Sequence, residues 1–91
     1  MEFYPLRVFL TVANERSFSR AAEKLSRTQP EISLAVQRLE ADFGEKLIDR
    51  SGKDLLLTDA GRVVIDFARR FENLQAELDN ALAELRDNAA G

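Results

Sequence analysis

The sequence predicts a mainly α-helical fold with one small β-hairpin, followed by a single long helix. Three observations predict it. Thr28 to Phe43 carries a helix-start signature and then an apolar stripe at helical spacing. Two short apolar runs flank the polar tip Ser51-Gly52-Lys53-Asp54. From Ala60 to Leu85, apolar residues repeat at alternating steps of four and three. The first pattern is that of an amphipathic helix, the second of a hairpin, and the third of a heptad seam.

Ninety-one residues with 45% hydrophobic and 32% charged side chains describe one small globular domain with a modest core. There is no cysteine, so neither a disulfide nor thiolate chemistry is available, which fits a reducing compartment. There is no histidine, which removes the commonest metal ligand and general base. No glycine-rich phosphate loop or paired-carboxylate signature stands out, so no enzyme activity, cofactor or metal is expected. No apolar run approaches the ~18 residues of a membrane span, and the start lacks a basic-then-apolar signal. A cytoplasmic protein without a membrane partner is therefore expected.

Leu6, Phe9, Leu10 and Ala13 fit the i, i+3, i+4, i+7 template and predict a first helix over about residues 4–14, with that stripe in the core. Asn14 to Ser17 is polar and ends it. Phe18 lies between two serines, either of which could cap a second helix running to about Leu25. On that helix Ala21 and Ala22 allow another helix to approach closely. Ser26 and Arg27 make a tight connection to the third helix.

The third helix begins at Thr28, with Glu31 three residues on and Pro30 in the first turn. Thr-x-x-Glu is a capping box, in which the hydroxyl and the carboxylate each accept from a free amide at the helix start. Proline is tolerated there because its missing N–H would have lacked a partner. Ile32, Val36, Leu39 and Phe43 form the expected buried stripe, with Phe43 as its last core residue and Gly44 as the stop. The other face carries Gln29, Ser33, Leu34, Gln37 and Arg38. Such a face suits either plain solvation or the reading of base edges in a DNA major groove. Two helices joined by a short turn, the second with a polar N-terminal face, make a helix-turn-helix.

Leu47 to Arg50 and Leu55 to Thr58 are the two arms of the hairpin, which after a helix-turn-helix reads as a wing. Lys53 at its tip could reach a phosphate or the adjacent minor groove, or simply be solvated. Thr58 caps the last helix, Asp59 suits the positive end of its dipole, and Gly61 permits close packing. That helix is expected to run to about Arg86. Ala60, Val64, Phe67, Phe71, Leu74, Leu78, Ala81 and Leu85 form its seam, widened by Leu82. The first two turns, with Val63, Val64 and Phe67, are expected to pack on the domain. A helix roughly 40 Å long outruns so small a body, so Phe67, Phe71, Leu74, Leu78, Ala81, Leu82 and Leu85 are expected to meet a second copy. The boundaries that result are 1–58 for the winged helix-turn-helix, 59–87 for the linker and dimerisation helix, and 88–91 for a linker or cut end.

The net charge of −3 is not that of a basic nucleic-acid binder, but its distribution is uneven. Residues 16–38 carry +3, whereas residues 59–91 carry −3. A basic segment followed by an acidic one is compatible with DNA binding at one end and equally with solvated helix faces.

Ser17-Phe18-Ser19-Arg20-Ala21-Ala22-Glu23-Lys24-Leu25, Thr28-Gln29-Pro30, Leu39-Glu40, Leu47-Ile48-Asp49-Arg50 and Leu57-Thr58-Asp59-Ala60-Gly61 occur here in that order. Together they resemble the N-terminal DNA-binding domain of LysR-type transcriptional regulators, over about residues 3–70. The resemblance implies a winged helix-turn-helix that dimerises through the linker helix and binds an interrupted inverted repeat in double-stranded DNA. It also implies that any small-molecule effector acts only through a C-terminal domain absent from this sequence. The family's Ser/Thr-Gln-Pro motif maps onto Thr28, Gln29 and Pro30, its helix serine onto Ser33, and its basic wing position onto Lys53. Two positions depart from the family: Leu34 stands where arginine is common, and Ala35 where glutamine is frequent. Leu34 could instead touch a thymine methyl. Glu31 replaces a usually small residue and is assigned to capping, with a cytosine contact as the alternative.

On this reading Thr28 and Ser33 hydrogen-bond phosphates or base edges, and Gln29 is the leading base reader. Arg27, Arg38 and Arg50 are phosphate-contact candidates, with an internal salt bridge as the alternative for Arg50. The rival of another class is a coiled-coil protein-interaction module that uses the helix-turn-helix as scaffold.

Overall fold

The computed structural model describes residues 3–90, the side chains of 89 and 90 excepted. Its elements in order are α1 (Tyr4–Glu15), α2 (Phe18–Leu25), α3 (Gln29–Phe43), β1 (Ile48–Asp49), β2 (Leu56–Leu57) and α4 (Asp59–Ala90). Helices α1, α2 and α3 pack on one another, and α4 crosses back over α1. The long helix stretches the molecule to 57 × 25 × 20 Å. Among the described residues no helix is long and apolar enough to cross a membrane.

Local chemistry sets each boundary. Arg16 adopts the left-handed conformation (φ 54°) that ends α1. Ser17, rather than Ser19, caps α2, its hydroxyl accepting from the Arg20 amide at 3.1 Å. Ser26, also left-handed at φ 55°, closes α2 and sends its N–H back to the carbonyls of Ala22 and Glu23. The Thr28 box is complete: Oγ1 accepts from Glu31 N at 3.3 Å, and Glu31 Oε2 from Thr28 N at 3.4 Å. Gly44 ends α3 at φ 68°, a conformation that only glycine adopts without cost.

The core joins Val8, Phe9, Leu10 and Val12 of α1 to Ala21 and Ala22 of α2, to Ile32, Val36 and Leu39 of α3, and to Leu47, Ile48, Ile65 and Ala68. Helix α1 is enclosed by three other helices. Val8 and Val12, which lie off the Leu6–Phe9–Leu10–Ala13 stripe, are therefore fully buried as well.

Four expectations need correction. Phe43 is 47% exposed and is not the last core residue of α3; that place falls to Glu40, which is 7% exposed. The helix turns the Glu40 carboxylate into the interior, where its Oε2 accepts from the backbone amides of Leu47 at 2.8 Å and Ile48 at 3.4 Å. The face of α4 that packs on the body is Gly61, Ile65 and Ala68, with Ala60 and Val64 half-buried against the core as expected for Val64, whereas Val63 and Phe67 are over half exposed. Lastly, α4 does not stop near Arg86 but continues to Ala90. Asn88, Ala89 and Ala90 contain no breaker, and alanine is the strongest helix former, so the expected linker at 88–90 is helical; Gly91 lies outside the described residues.

The hairpin is antiparallel, with Ile48 opposite Leu57 and Asp49 opposite Leu56. It is welded to the start of α4 through Thr58. The Thr58 N–H donates to Leu47 O at 3.1 Å, its hydroxyl donates to Lys46 O at 2.6 Å, and the same oxygen caps α4 by accepting from Gly61 N at 2.9 Å. A Cβ at Gly61 would run into the Leu47 carbonyl oxygen, so only glycine permits this approach of helix to strand.

Candidate nucleic-acid interface

The first turn of α3 emerges from a three-residue connection held by the Ser26 cap and the Thr28 box. Burial of Ile32, Val36 and Leu39 on one side leaves Pro30, Leu34, Gln37 and Arg38 exposed on the other, with Gln29 exposed at the helix start. Ser33 is half-buried at the edge of that face. The Thr28 hydroxyl oxygen is engaged as an acceptor by the cap, which leaves its proton free to be donated outward.

The structure adds a partner for Gln29. Ser19 Oγ donates to Gln29 Oε1 at 3.1 Å, tying the first turn of α2 to the first turn of α3. The Gln29 amide group keeps its two N–H donors, and the oxygen keeps a second lone pair. Two helix N-termini thus meet at one edge, where backbone amides and dipoles favour anionic groups.

The basic candidates are distributed around this edge. Arg27 is exposed in the connection, with its guanidinium 5.8 Å from the centroid of the Tyr4 ring. Arg38 is exposed at the far end of the outward face. Arg50 does not form the internal salt bridge considered for it. Its guanidinium lies 4.5 Å over the Phe18 ring, which fastens the base of the wing to the start of α2. Among the described residues the ion pairs are Lys24–Glu15 and Arg62–Asp59. Lys53 is exposed at the hairpin tip. That tip is shaped by Asp49, whose carboxylate accepts from the Ser51 hydroxyl at 2.6 Å and the Ser51 amide at 2.9 Å. These two bonds hold the Asp49 carboxyl below its ordinary value of 3.8.

The structure therefore exposes Pro30, Leu34, Gln37 and Arg38 along the outward side of α3, with Arg27, Thr28 and Gln29 exposed at its start, Ser33 half-buried at its edge, Arg50 tied to α2 and Lys53 out on the wing. Sequence reasoning missed Ser19, Phe18 and Glu40 as residues that position this side. For Glu40 a signal existed: the i+4 step from Val36 lands on it, inside the buried arc. For the other two pairs no spacing rule exists, because Ser19–Gln29 and Phe18–Arg50 join separate elements.

A second surface lies along α4. Phe67, Leu74, Leu78, Leu82 and Leu85 are between 46% and 65% exposed, with Ala81 exposed between them. Phe71, at 39%, is partly covered by Phe3, with ring centroids 4.6 Å apart. A contiguous exposed apolar row of this size is unusual on a monomeric protein.

Comparison with known proteins bears on the fold and on the class of protein. The chain is 40% identical over 86 residues to the RuBisCO operon transcriptional regulator of Allochromatium vinosum, covering 94% of this chain and 28% of that protein. It is 43% identical over 79 residues to the uncharacterized HTH-type transcriptional regulator YfeR of Shigella flexneri, covering 87% of this chain and 25% of that protein. The chain thus spans about a quarter of the length of these relatives. Among solved structures, Vibrio fischeri DarR in complex with DNA is similar with a TM-score of 0.86 at 32% identity, covering 96% of this chain and 30% of that one. The BenM_DBD complex with catB site 1 DNA matches with a TM-score of 0.81 at 32% identity, over 100% of this chain and 99% of that one. The family model for bacterial regulatory helix-turn-helix proteins of the lysR family matches residues 3–62. The arrangement of α1 to α4 around the hairpin is the winged helix-turn-helix of these DNA-binding domains, and the chain belongs to the lysR family.

Proposed function

We propose that this chain is the sequence-specific DNA-binding part of a cytoplasmic bacterial transcriptional regulator and that it acts as a homodimer on an interrupted inverted repeat. Helix α3 enters the major groove, and the hairpin lies toward the neighbouring minor groove. The observation that carries this reading is the outward face of α3, where hydrogen-bonding side chains cluster at a rigidly capped helix start. Gln29 reads a base edge. Thr28 and Ser33 bond phosphates or bases, with Pro30 and Gln37 beside them. Arg27, Arg38, Arg50 and Lys53 contact phosphates. The similarity to BenM_DBD and DarR, each solved with DNA, supports the partner class.

The apolar row Phe67, Phe71, Leu74, Leu78, Ala81, Leu82 and Leu85 is assigned to a second copy. Dimers of helix-turn-helix proteins place their recognition helices about one helical turn (~34 Å) or a multiple apart, so the spacing of half-sites follows from the dimer geometry. Effector control is assigned to parts of the regulator outside these residues.

Selection from a random double-stranded DNA library near physiological salt tests the reading. Enrichment of an interrupted inverted repeat is expected, with a spacing that reports the separation of the two α3 helices. A folded dimer that enriches no sequence would overturn it in favour of a protein-interaction module built on the α4 seam.

A further inference from the structure

We infer that Leu34 reads the 5-methyl group of a pyrimidine, thymine in unmodified DNA, from the centre of the α3 outward face. The inference rests on the DNA-binding reading above and assigns one of its specificity contacts. Leu34 is 45% exposed, and at ~100° per residue it points roughly opposite the buried group Ile32, Val36 and Leu39. Its exposed neighbours on that face are Pro30 and the capping Glu31 one turn before it and Gln37 and Arg38 one turn after it. The side chain at the middle of the recognition surface thus can neither donate nor accept a hydrogen bond.

Left in water, this leucine gains little of the free energy that burial gives an apolar side chain. Against DNA it has a single good counterpart. In the major groove the edges of guanine, adenine and cytosine present donors and acceptors, whereas thymine adds an apolar methyl at C5. Pressing a leucine over the other edges strips water from polar groups and returns no hydrogen bond. Discrimination therefore comes both from the methyl contact and from the penalty at the other bases. 5-Methylcytosine carries the same methyl, so the two sources must be separated by experiment.

The test uses the chain as it stands and the repeat that it selects. Each thymine is replaced in turn by uracil, which removes only the methyl, and each cytosine by 5-methylcytosine. Affinity is measured by fluorescence anisotropy for the wild type and for Leu34→Ala. At one position per half-site, uracil is expected to weaken wild-type binding about fourfold, equivalent to ~0.8 kcal/mol at 1.4 kcal/mol per tenfold. The same replacement should leave Leu34→Ala unchanged. An exposed leucine-to-alanine change on a helix preserves the fold, which thermal unfolding followed by circular dichroism verifies. Uracil that is neutral everywhere in the wild type, or equally costly in both proteins, overturns the assignment and leaves the DNA-binding reading standing. A gain on 5-methylcytosine that Leu34→Ala abolishes, without any uracil effect, overturns thymine as the source. If no repeat is selected at all, both readings fall together.

Discussion

Replacing Glu40 with alanine strips two buried backbone amides of their acceptor. Leu47 and Ile48 are 0% and 4% exposed, so water cannot easily take the place of the carboxylate. Hydrogen bonds to a charged acceptor contribute about 1.5–3 kcal/mol, and an orphaned buried donor costs about 1–3 kcal/mol. The Leu47 contact at 2.8 Å has full strength, whereas the Ile48 contact at 3.4 Å is long and counts for less. The expected loss for Glu40→Ala is therefore about 2–4 kcal/mol. In a domain of this size 1 kcal/mol moves the melting temperature by roughly 4–8 °C, so a fall of at least about 8 °C is expected. Glu40→Gln retains an oxygen for the Leu47 amide and should lose only about 1 kcal/mol. Thermal and urea unfolding by circular dichroism give these values, at one protein concentration so that the proposed dimerisation contributes equally to each apparent stability. Hydrogen exchange at the Leu47 amide should accelerate in Glu40→Ala beyond the change in global stability, because the wing is untied from the end of α3. A Glu40→Ala protein within about 0.5 kcal/mol of wild type, or a glutamine variant as damaged as the alanine one, would refute this account of the interior carboxylate.

Gln29→Ala should weaken binding at the selected site by about 1–3 kcal/mol and affect random DNA far less; equal losses on both would remove Gln29 from base reading. Lys53→Ala should lower the slope of log affinity against log salt by about one unit with base preference retained, and an unchanged slope would make Lys53 a solvated turn residue. Leu78→Asp places a charge in the middle of the α4 row and should yield monomers in analytical sedimentation, while a surviving dimer would put the interface elsewhere. Asp49 should titrate below 3.8 in carbon-detected NMR and return toward that value in Ser51→Ala. Because its folded value is depressed, the Asp49 contribution to the hairpin is present above the ordinary aspartate range and disappears as pH falls through the folded value.

Helix α4 carries two faces with separate tasks. Gly61, Ile65 and Ala68 bind it to the body, and Thr58 joins its cap to the hairpin through a single hydroxyl. At 1.5 Å per residue its 32 residues extend ~48 Å, so most of the helix leaves the body. The apolar row that begins at Phe67 continues along this extension. The direction in which the row leaves the body is fixed by the close contact of Gly61 with Leu47, which couples the geometry of the proposed dimerisation surface to that of the wing.

The sequence by itself determined the elements and most of their ends. The Thr28–Glu31 box, the glycine after Phe43, the Thr58 cap and the alternating four-and-three spacing are local chemistry, complete within a few residues of chain, and each can be read without knowing what lies across the fold. The outward face of α3 was legible for the same reason, since Ile32, Val36 and Leu39 define its opposite. Tertiary structure alone decided which residues hold that face in place. Val36 and Leu39 bracket a buried arc, but only the arrival of Leu47 and Ile48 makes the Glu40 carboxylate an interior acceptor. Phe43 fits the stripe by spacing yet is exposed, because no element covers the end of α3 there. Ser19 meets Gln29, and Arg50 meets Phe18, across gaps in the chain that no periodicity spans. Whether Phe67 or Ile65 faced the body depended on how Gly61 seats α4 against the backbone of Leu47. Caps and stripes follow from bonds and rotations along one helix, whereas partners across elements follow from packing, and packing is a property of the assembled chain.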